Sequence, residues 1–405
     1  MTFEQPLLGY KVLELASVLA GPSIGMFLAE LGAEVIKVEN LLTDGDVTRK
    51  WKLPTESPET DISGYFSSVN WGKKSLAVDI SRCEGLDIIY KLASGSDIIL
   101  VSYKPGDAEK LKVDYETFSK INLRTIYAHL TGYGLTNNRA GFDAIIQAES
   151  GFTYMNGEPG GPPVKMPVAL MDILAAHHLK EAILIALLNL SRTGKGCYID
   201  ASLFRAGVSS LANQATNWLV GNSIPERIGS DHPNIVPYGT IFNTSDGKGI
   251  VIAVGTEKQF QELCSLLGKP ELAADSRYST NIMRVRNKGS IKKSLQDVIA
   301  LYDRETILKM LDEKKVPAGG VFNMKEVFET TEAQDMVLEA PDGKTNIRGV
   351  SSIGFSLNCQ SPEKRVAPPP GYGEHTFEIL KELPEYPEAI IEKLVEQRII
   401  YGKRK

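Results

Sequence analysis

Lys11-Val-Leu-Glu-Leu15, Ala20-Gly-Pro-Ser23 and Leu31-Gly-Ala-Glu-Val-Ile-Lys-Val38 are the segments on which the fold turns. The first is a short apolar run of strand type. Gly21, Pro22 and Ser23 open a helix through Leu31, Gly32 ends it, and residues 33–38 form the next strand. The alternation continues with a short strand over 75–78, a helix over 85–93, a buried strand over 97–101 and a further strand over 125–130. Strand, helix and strand at this spacing imply βαβ units on a parallel sheet, an α/β fold. Ligands on such sheets sit at the C-terminal ends of the strands. The turn after the first strand carries Ala20-Gly-Pro-Ser23 in place of a G-x-G-x-x-G run, which disfavours a dinucleotide. A P-loop is absent as well.

Past Gly196 the character changes. Residues 197–203 are strand-like, 204–220 helical and 224–238 loop-like, with Pro225, Pro233 and Pro237. Two apolar runs flanking Asp246-Gly-Lys-Gly signal a hairpin. The expected layout is a large domain over 1–196, a linker over 197–224, a smaller α/β domain over 225–318 and a return segment over 319–405 that packs on the large domain. Within that return, 321–340 has a helical pattern, 343–355 is β-like, and Ala367-Pro-Pro-Pro-Gly-Tyr-Gly-Glu-His-Thr is an ordered loop before a helical tail.

The chain has 405 residues and a net charge of −5, which offers no basic field for nucleic acid. Cys83, Cys197, Cys264 and Cys359 are widely separated, so neither a CxxC redox motif nor a zinc site is indicated. The opening Met1-Thr-Phe-Glu-Gln-Pro has no basic stretch before an apolar run, and the apolar run 182–190 is interrupted by Asn189 and short for a bilayer. A soluble cytoplasmic protein without membrane or nucleic-acid partners is the expectation.

Asp172 stands at the mouth of an almost wholly apolar helix, in Val168-Ala-Leu-Met-Asp172-Ile-Leu-Ala-Ala, which runs to Leu190. Such a helix lies inside a protein, so the carboxylate is expected to be partly buried. Orphan N–H groups and the helix dipole would then keep it ionised, as a nucleophile requires. Asp is equally a favoured N-cap, and caps are far commoner than nucleophiles, so both roles are open. Lys37, Lys73, Lys74, Lys104 and Lys110 fall near strand ends, with Tyr103 beside Lys104, a set suited to phosphates and an adenine ring or to an ordinary solvated surface. His177 and His178 face different ways on one helix, which argues against a two-histidine metal site and for a structural or partly buried pair. His232 and His375, in the Pro-rich loops, carry no assigned role.

Several segments in one order resemble the class III CoA-transferase family, with its carnitine, formate/oxalate and dicarboxylate CoA-transferases and 2-methylacyl-CoA racemases. They are Gly9-Tyr-Lys-Val-Leu-Glu-Leu, Leu19-Ala-Gly-Pro, Leu31-Gly-Ala-Glu-Val-Ile-Lys-Val-Glu39, Gly45-Asp-Val-Thr-Arg49, Lys104-Pro-Gly, Gly141-Phe-Asp-Ala-Ile-Ile-Gln-Ala, Arg192-Thr-Gly-Lys-Gly, His232-Pro-Asn-Ile-Val-Pro-Tyr238 and Gly373-Glu-His-Thr376. The resemblance implies a Rossmann-like large domain, a small domain and an interlocked homodimer. It implies Asp172 as nucleophile, Lys104 and Lys110 as contacts to CoA, and Val18, Val78, Asp79, Ser102, Tyr103 and Leu111 as lining of the CoA site. It places Asp143 near the catalytic centre, and His232, Tyr238 and Arg227 fall in a region that would shape the acyl pocket.

The departures from the family pattern are informative. Asn40 replaces an arginine that many members aim at the nucleotide phosphates. Leu19 replaces a glutamine of the formyl-CoA:oxalate enzymes. Phe142 stands where the racemases carry a histidine, and phenylalanine transfers no proton. The expected activity is therefore transfer of CoA from an acyl-CoA to a small carboxylic acid, a dicarboxylate by preference, through an aspartyl anhydride and an aspartyl-CoA thioester. The resemblance implies no metal and no cofactor beyond CoA and acyl-CoA as substrates. Acyl-CoA racemisation and non-catalytic CoA binding are the alternatives.

Overall fold

The computed structural model describes residues 5–340, 347–357 and 366–402. Cys359 and the expected β-like residues 343–346 lie outside the described residues. The chain divides into two compact units: residues 1–150, 166–219 and 336–405 form one, and 151–165 with 220–335 the other.

The first unit is built on a seven-stranded sheet: β1 (Lys11–Leu15), β2 (Glu34–Asn40), β3 (Lys73–Val78), β4 (Ile98–Val101), β5 (Ile126–Thr131), β6 (Cys197–Ser202) and, at the other edge, a short strand Ile400–Tyr401. The order runs Ile400–Tyr401, β3, β2, β1, β4, β5, β6. The numbered strands pair in parallel and the last one is antiparallel to β3. This is the doubly wound order, in which the chain leaves β1 toward one side and returns beside it as β4. Strands buried on both faces explain the sequence: β4 and β5 are buried at every residue. On one face the helix Cys83–Ser94 brings Ile88 and Ile89 into a core with Leu76, Val101, Ile379 and Leu394. On the other, the helix Leu170–Thr193 packs against the helix Ala20–Glu30 and against β5 and β6. A two-stranded ribbon, Val337–Glu339 with Arg348–Val350, belongs to the same unit.

Parts of the sequence expectation are corrected. Residues 197–202 are no linker: they are β6, and their backbone groups are satisfied by a six-residue parallel register with β5. The helix expected over 204–220 breaks in two, Leu203–Ser209 and Asn213–Leu219, with Ala212 between them at φ 48°. The helix expected over 321–340 is two single turns, Met324–Val327 and Thr331–Gln334, capped by Asn323 and Thr330, followed by the ribbon strand. Residues 319–335 and 151–165 belong to the second unit. The core helix spans 24 residues, long enough in itself for a bilayer, although its run 182–190 is short. Met171, Ala175, Leu179, Ile183 and Leu190 are buried against the first unit, as in the core helix of a globular domain.

The C-terminal Gly373-Glu-His-Thr376 segment is stitched to β3. His375 Nδ1 accepts the Ser75 N–H at 3.2 Å, Thr376 Oγ1 accepts the Ala77 N–H at 3.1 Å, and Gly373 N–H donates to Ser75 Oγ at 2.9 Å. His375 is thereby structural.

The second unit holds a three-stranded antiparallel sheet, Tyr238–Asn243, Gly249–Ala253 and Ala318–Gly320, in that order. Its core gathers Phe242, Ile250, Ile252, Phe260, Leu263, Leu295 and Leu311.

Candidate active site

Two adjoining cavities open at the C-terminal ends of the strands of the first unit. One, of about 400 Å³, is lined by Leu15, Asn40, Val78, Asp79, Tyr103 and Leu111 among others. The second, of about 200 Å³, is lined by Val18, Lys104, Arg139, Phe142, Asp143 and Asp172 among others. Ser17, Ser102 and Tyr103 line both, so the two lie side by side at the β1–β4 switch point. Of the residues singled out in the sequence, Val18, Ser102, Tyr103, Lys104, Asp143 and Asp172 meet in the smaller cavity. Val78, Asp79 and Leu111 lie in the larger one with Ser102 and Tyr103. Lys110 lines neither; it is exposed and pairs with Asp107 at 3.0 Å. His232 and Tyr238 belong to the second unit, where their rings meet at 5.4 Å. Arg227 is engaged there too, donating Nε–H to the Gly161 carbonyl at 2.9 Å.

Two of the strand-end lysines are not available to a ligand. Lys37 Nζ is buried between Glu14 (3.2 Å) and Asp46 (2.9 Å), and Lys73 Nζ pairs with Glu14 at 2.8 Å. Burial would push Lys37 down, but Glu14 and Asp46 outweigh it and raise its pKa. The phosphate role for Lys37 and Lys73 is therefore withdrawn: each ammonium is consumed by buried carboxylates. The cluster has a use at the site. Asp46 accepts the Val18 N–H at 3.2 Å, and Val18 lies at φ 73°, a genuine outlier for a β-branched residue. The Gly45-Asp-Val-Thr-Arg49 motif is thus the device that holds the strained turn after β1. Asn40 Oδ1 accepts the Leu42 N–H at 2.9 Å, a turn cap.

The loop bearing Phe142 and Asp143 is set by two glycines. A Cβ on Gly141 would stand 2.4 Å from Gly132 Cα, and the reverse contact is 2.5 Å, so no larger residue fits at either position. This brings the loop against the end of β5. Tyr103 is fixed from below: its carbonyl accepts from His129 Nε2 at 2.8 Å, which leaves Nδ1 to accept the Tyr198 hydroxyl at 3.0 Å.

Asp172 is not the cap of its helix. Asp143 accepts the Met171 N–H at 2.9 Å, and the Ile173 N–H goes to the Ala169 carbonyl. Asp172 accepts no hydrogen bond from the described residues. Burial, and then the negative charge of Asp143, push its pKa up to about 7. The expectation of a carboxylate kept fully ionised by orphan N–H groups is corrected, because Asp143 has taken the donor. His177 and His178 lie on the more exposed side of the helix, where His178 Nε2 stands 3.0 Å from Ser209 Oγ.

Two residues escaped the sequence reading. The Tyr65 hydroxyl stands in the field of Asp172, Asp143 and Asp46; burial and those charges raise its pKa, so it remains a donor. Gln147, one helical turn after Asp143, is fully buried and bonded to it at 2.8 Å. The i, i+4 spacing of Asp143 and Gln147 was the signal available for the second.

Residues 7–376 match the profile of CoA-transferase family III. The chain is 37% identical over 388 residues to a succinate–glutarate CoA-transferase of Agrobacterium fabrum, covering 93% of this chain and 96% of that protein. It is 39% identical to the succinyl-CoA:glutarate CoA-transferase of Mus musculus, covering 96% and 89%. The crystal structure of a CAIB/BAIF family protein from Brucella suis superposes with a TM-score of 0.84 at 36% identity, covering 94% of this chain and 100% of that one.

Proposed function

The chain belongs to CoA-transferase family III and is an enzyme of CoA transfer between acids, and from that premise we propose that it moves CoA between C4–C5 dicarboxylates, succinyl-CoA and glutarate being the model pair, with Asp172 as nucleophile. The observation that carries the reading is the state of Asp172: a cavity-lining carboxylate, mostly buried, with no hydrogen bond from the described residues to occupy it. When ionised, such a poorly solvated carboxylate is a strong nucleophile.

The Asp172 carboxylate attacks the donor thioester carbonyl, the C–S bond breaks, and CoA leaves as thiolate from a mixed anhydride. The thiolate attacks the aspartyl carbonyl of that anhydride, forming the aspartyl-CoA thioester and releasing the donor acid. The acceptor carboxylate then attacks the aspartyl carbonyl, expelling the thiolate again. The thiolate closes the cycle at the acceptor acyl carbonyl, giving the new acyl-CoA and free Asp172. One thioester is exchanged for another, so the protein's task is to hold reactants together and keep water out of two activated acyls. Lys104, exposed at the cavity, has the charge for a CoA phosphate, and the cleft over β2 and β3 has room for the nucleotide. Phe142 in the cavity wall supplies no α-proton acid or base, which supports transfer over racemisation.

A homodimer is part of this proposal. The core helix leaves Ile185 and Leu188 about two-thirds exposed, and Trp218 and Leu219 of the same unit are exposed too, an apolar surface that a second copy of the chain would cover. A folded monomer persisting at nanomolar concentration in sedimentation would remove that element. For the chemistry, incubation with succinyl-CoA followed by hydroxylamine should modify one peptide, that containing Asp172. Efficient glutarate-dependent transfer with no modification of that peptide would overturn the covalent reading.

A further inference from the structure

Gln147 has a completely buried side chain, a place where an amide is tolerated only if its donors and acceptor are matched. All are. Its amide nitrogen donates to Asp143 Oδ2 at 2.8 Å and lies 3.2 Å from the Val168 carbonyl and 3.4 Å from the Met166 carbonyl. Its amide oxygen accepts the Met166 N–H at 2.9 Å. The other oxygen of Asp143 accepts the Met171 N–H at 2.9 Å. One side chain thus closes a ring through Asp143, the approach segment 166–168 and the first turn of the core helix. Asp172 is the next residue after that ring. Because Asp143 is pinned on the Met171 N–H, the Asp172 carboxylate is spared the capping role that its place in the sequence would otherwise give it.

We propose that Gln147 is a positioning residue for CoA transfer, acting through Asp143 and residues 166–168 to hold the Asp172 carboxylate in the cavity with its oxygens free. This rests on the reading of Asp172 as the nucleophile. Gln147 touches no reacting atom, so its loss should act on the chemical step and leave donor binding nearly intact. A displacement of about 1 Å from attack geometry costs on the order of 100-fold in rate.

The test uses the full chain with Gln147→Glu and Gln147→Met, both close to glutamine in volume. The first keeps an acceptor for the Met166 N–H and removes the N–H donors toward Asp143; the second removes both. Transfer from succinyl-CoA to glutarate is measured across pH, with kcat referred to folded protein counted by donor binding. The expected result is a fall in kcat of roughly 10- to 100-fold with donor KM held within about twofold, and a displaced pH midpoint of kcat. Combined with Asp143→Asn, the Gln147→Met loss should be smaller than in the wild-type background, because both changes cut one link. A purely packing role gives a lower melting temperature with unchanged kcat and pH profile, and that result would overturn the proposal. If Gln147→Met does not fold, Gln147→Asn decides, because its shorter amide adds no charge and cannot span both Asp143 and Met166. Wild-type kcat in the Gln147 variants beside an inactive Asp172→Asn removes the positioning role alone; an active Asp172→Asn removes the nucleophile itself.

Discussion

Asp46 and Asp172 are two mostly buried carboxylates in the same unit, and they end in opposite states. For Asp46 burial raises the pKa, but Lys37 at 2.9 Å and the hydrogen bonds of Thr48 prevail and lower it. For Asp172 burial acts in the same direction with no cation or donor among the described residues to oppose it, and the charge of Asp143 adds to it, so its pKa is pushed up to about 7. Burial alone therefore does not define a reactive acid. What differs is the supply of partners: the fold lavishes them on Asp46, which holds a strained turn, and withholds them from Asp172, which lines the cavity.

The largest effect should come from Asp172→Asn. Transfer should fall more than about 10⁴-fold, since an amide cannot form the anhydride. The same variant tests the state of the carboxyl. The folded pKa of Asp172 is raised, so the folded chain binds this proton more readily than the unfolded one, and stability declines as pH climbs from the ordinary carboxylate range to about 7. The variant should therefore gain on the order of 2–4 kcal/mol over wild type at pH 8 and almost nothing at pH 4, by denaturant titration. Equal stability curves would mean that the acid is not held in a disfavoured charged state.

Asp46→Ala should do the reverse. It breaks a buried ion pair and frees the Val18 N–H, at a cost of about 3 kcal/mol or more. The folded pKa of Asp46 is depressed, so its contribution in the wild type is present above the ordinary carboxylate range and is lost as pH falls through the folded value. The difference between wild type and variant should thus shrink on acidification.

A smaller effect is expected of Asp143→Asn, which keeps an acceptor for the Met171 N–H and removes the charge facing Asp172. The acid limb of the kcat profile should move to lower pH by on the order of one unit. A shift to higher pH would show that Asp143 does not act on Asp172 through its charge. Lys104→Ala should act on binding only, raising the donor KM by about 1–3 kcal/mol equivalent with kcat nearly unchanged. Lys110→Ala, at a residue that lines neither cavity and is held by Asp107, should do less.

Much of this was legible in the chain itself. The βαβ order follows from apolar runs buried on both faces and from Gly32 and Gly194 ending their helices, all of it local chemistry. The hairpin around Asp246-Gly-Lys-Gly was legible for the same reason, whereas the grouping of Val18, Tyr103, Lys104 and Asp172 at one site came from the family resemblance. The rest depended on contacts between distant residues. No periodicity marks Ile400–Tyr401 as a strand, because its pairing partner, β3, lies more than three hundred residues earlier. No composition shows that Lys37 and Lys73 spend their charge on Glu14, or that Asp143 takes the N–H of Met171. The sequence placed Asp172 at a helix mouth, where cap and nucleophile look alike; tertiary structure removed the cap reading, because only the packing of one helix on another decides which carboxylate receives the Met171 N–H.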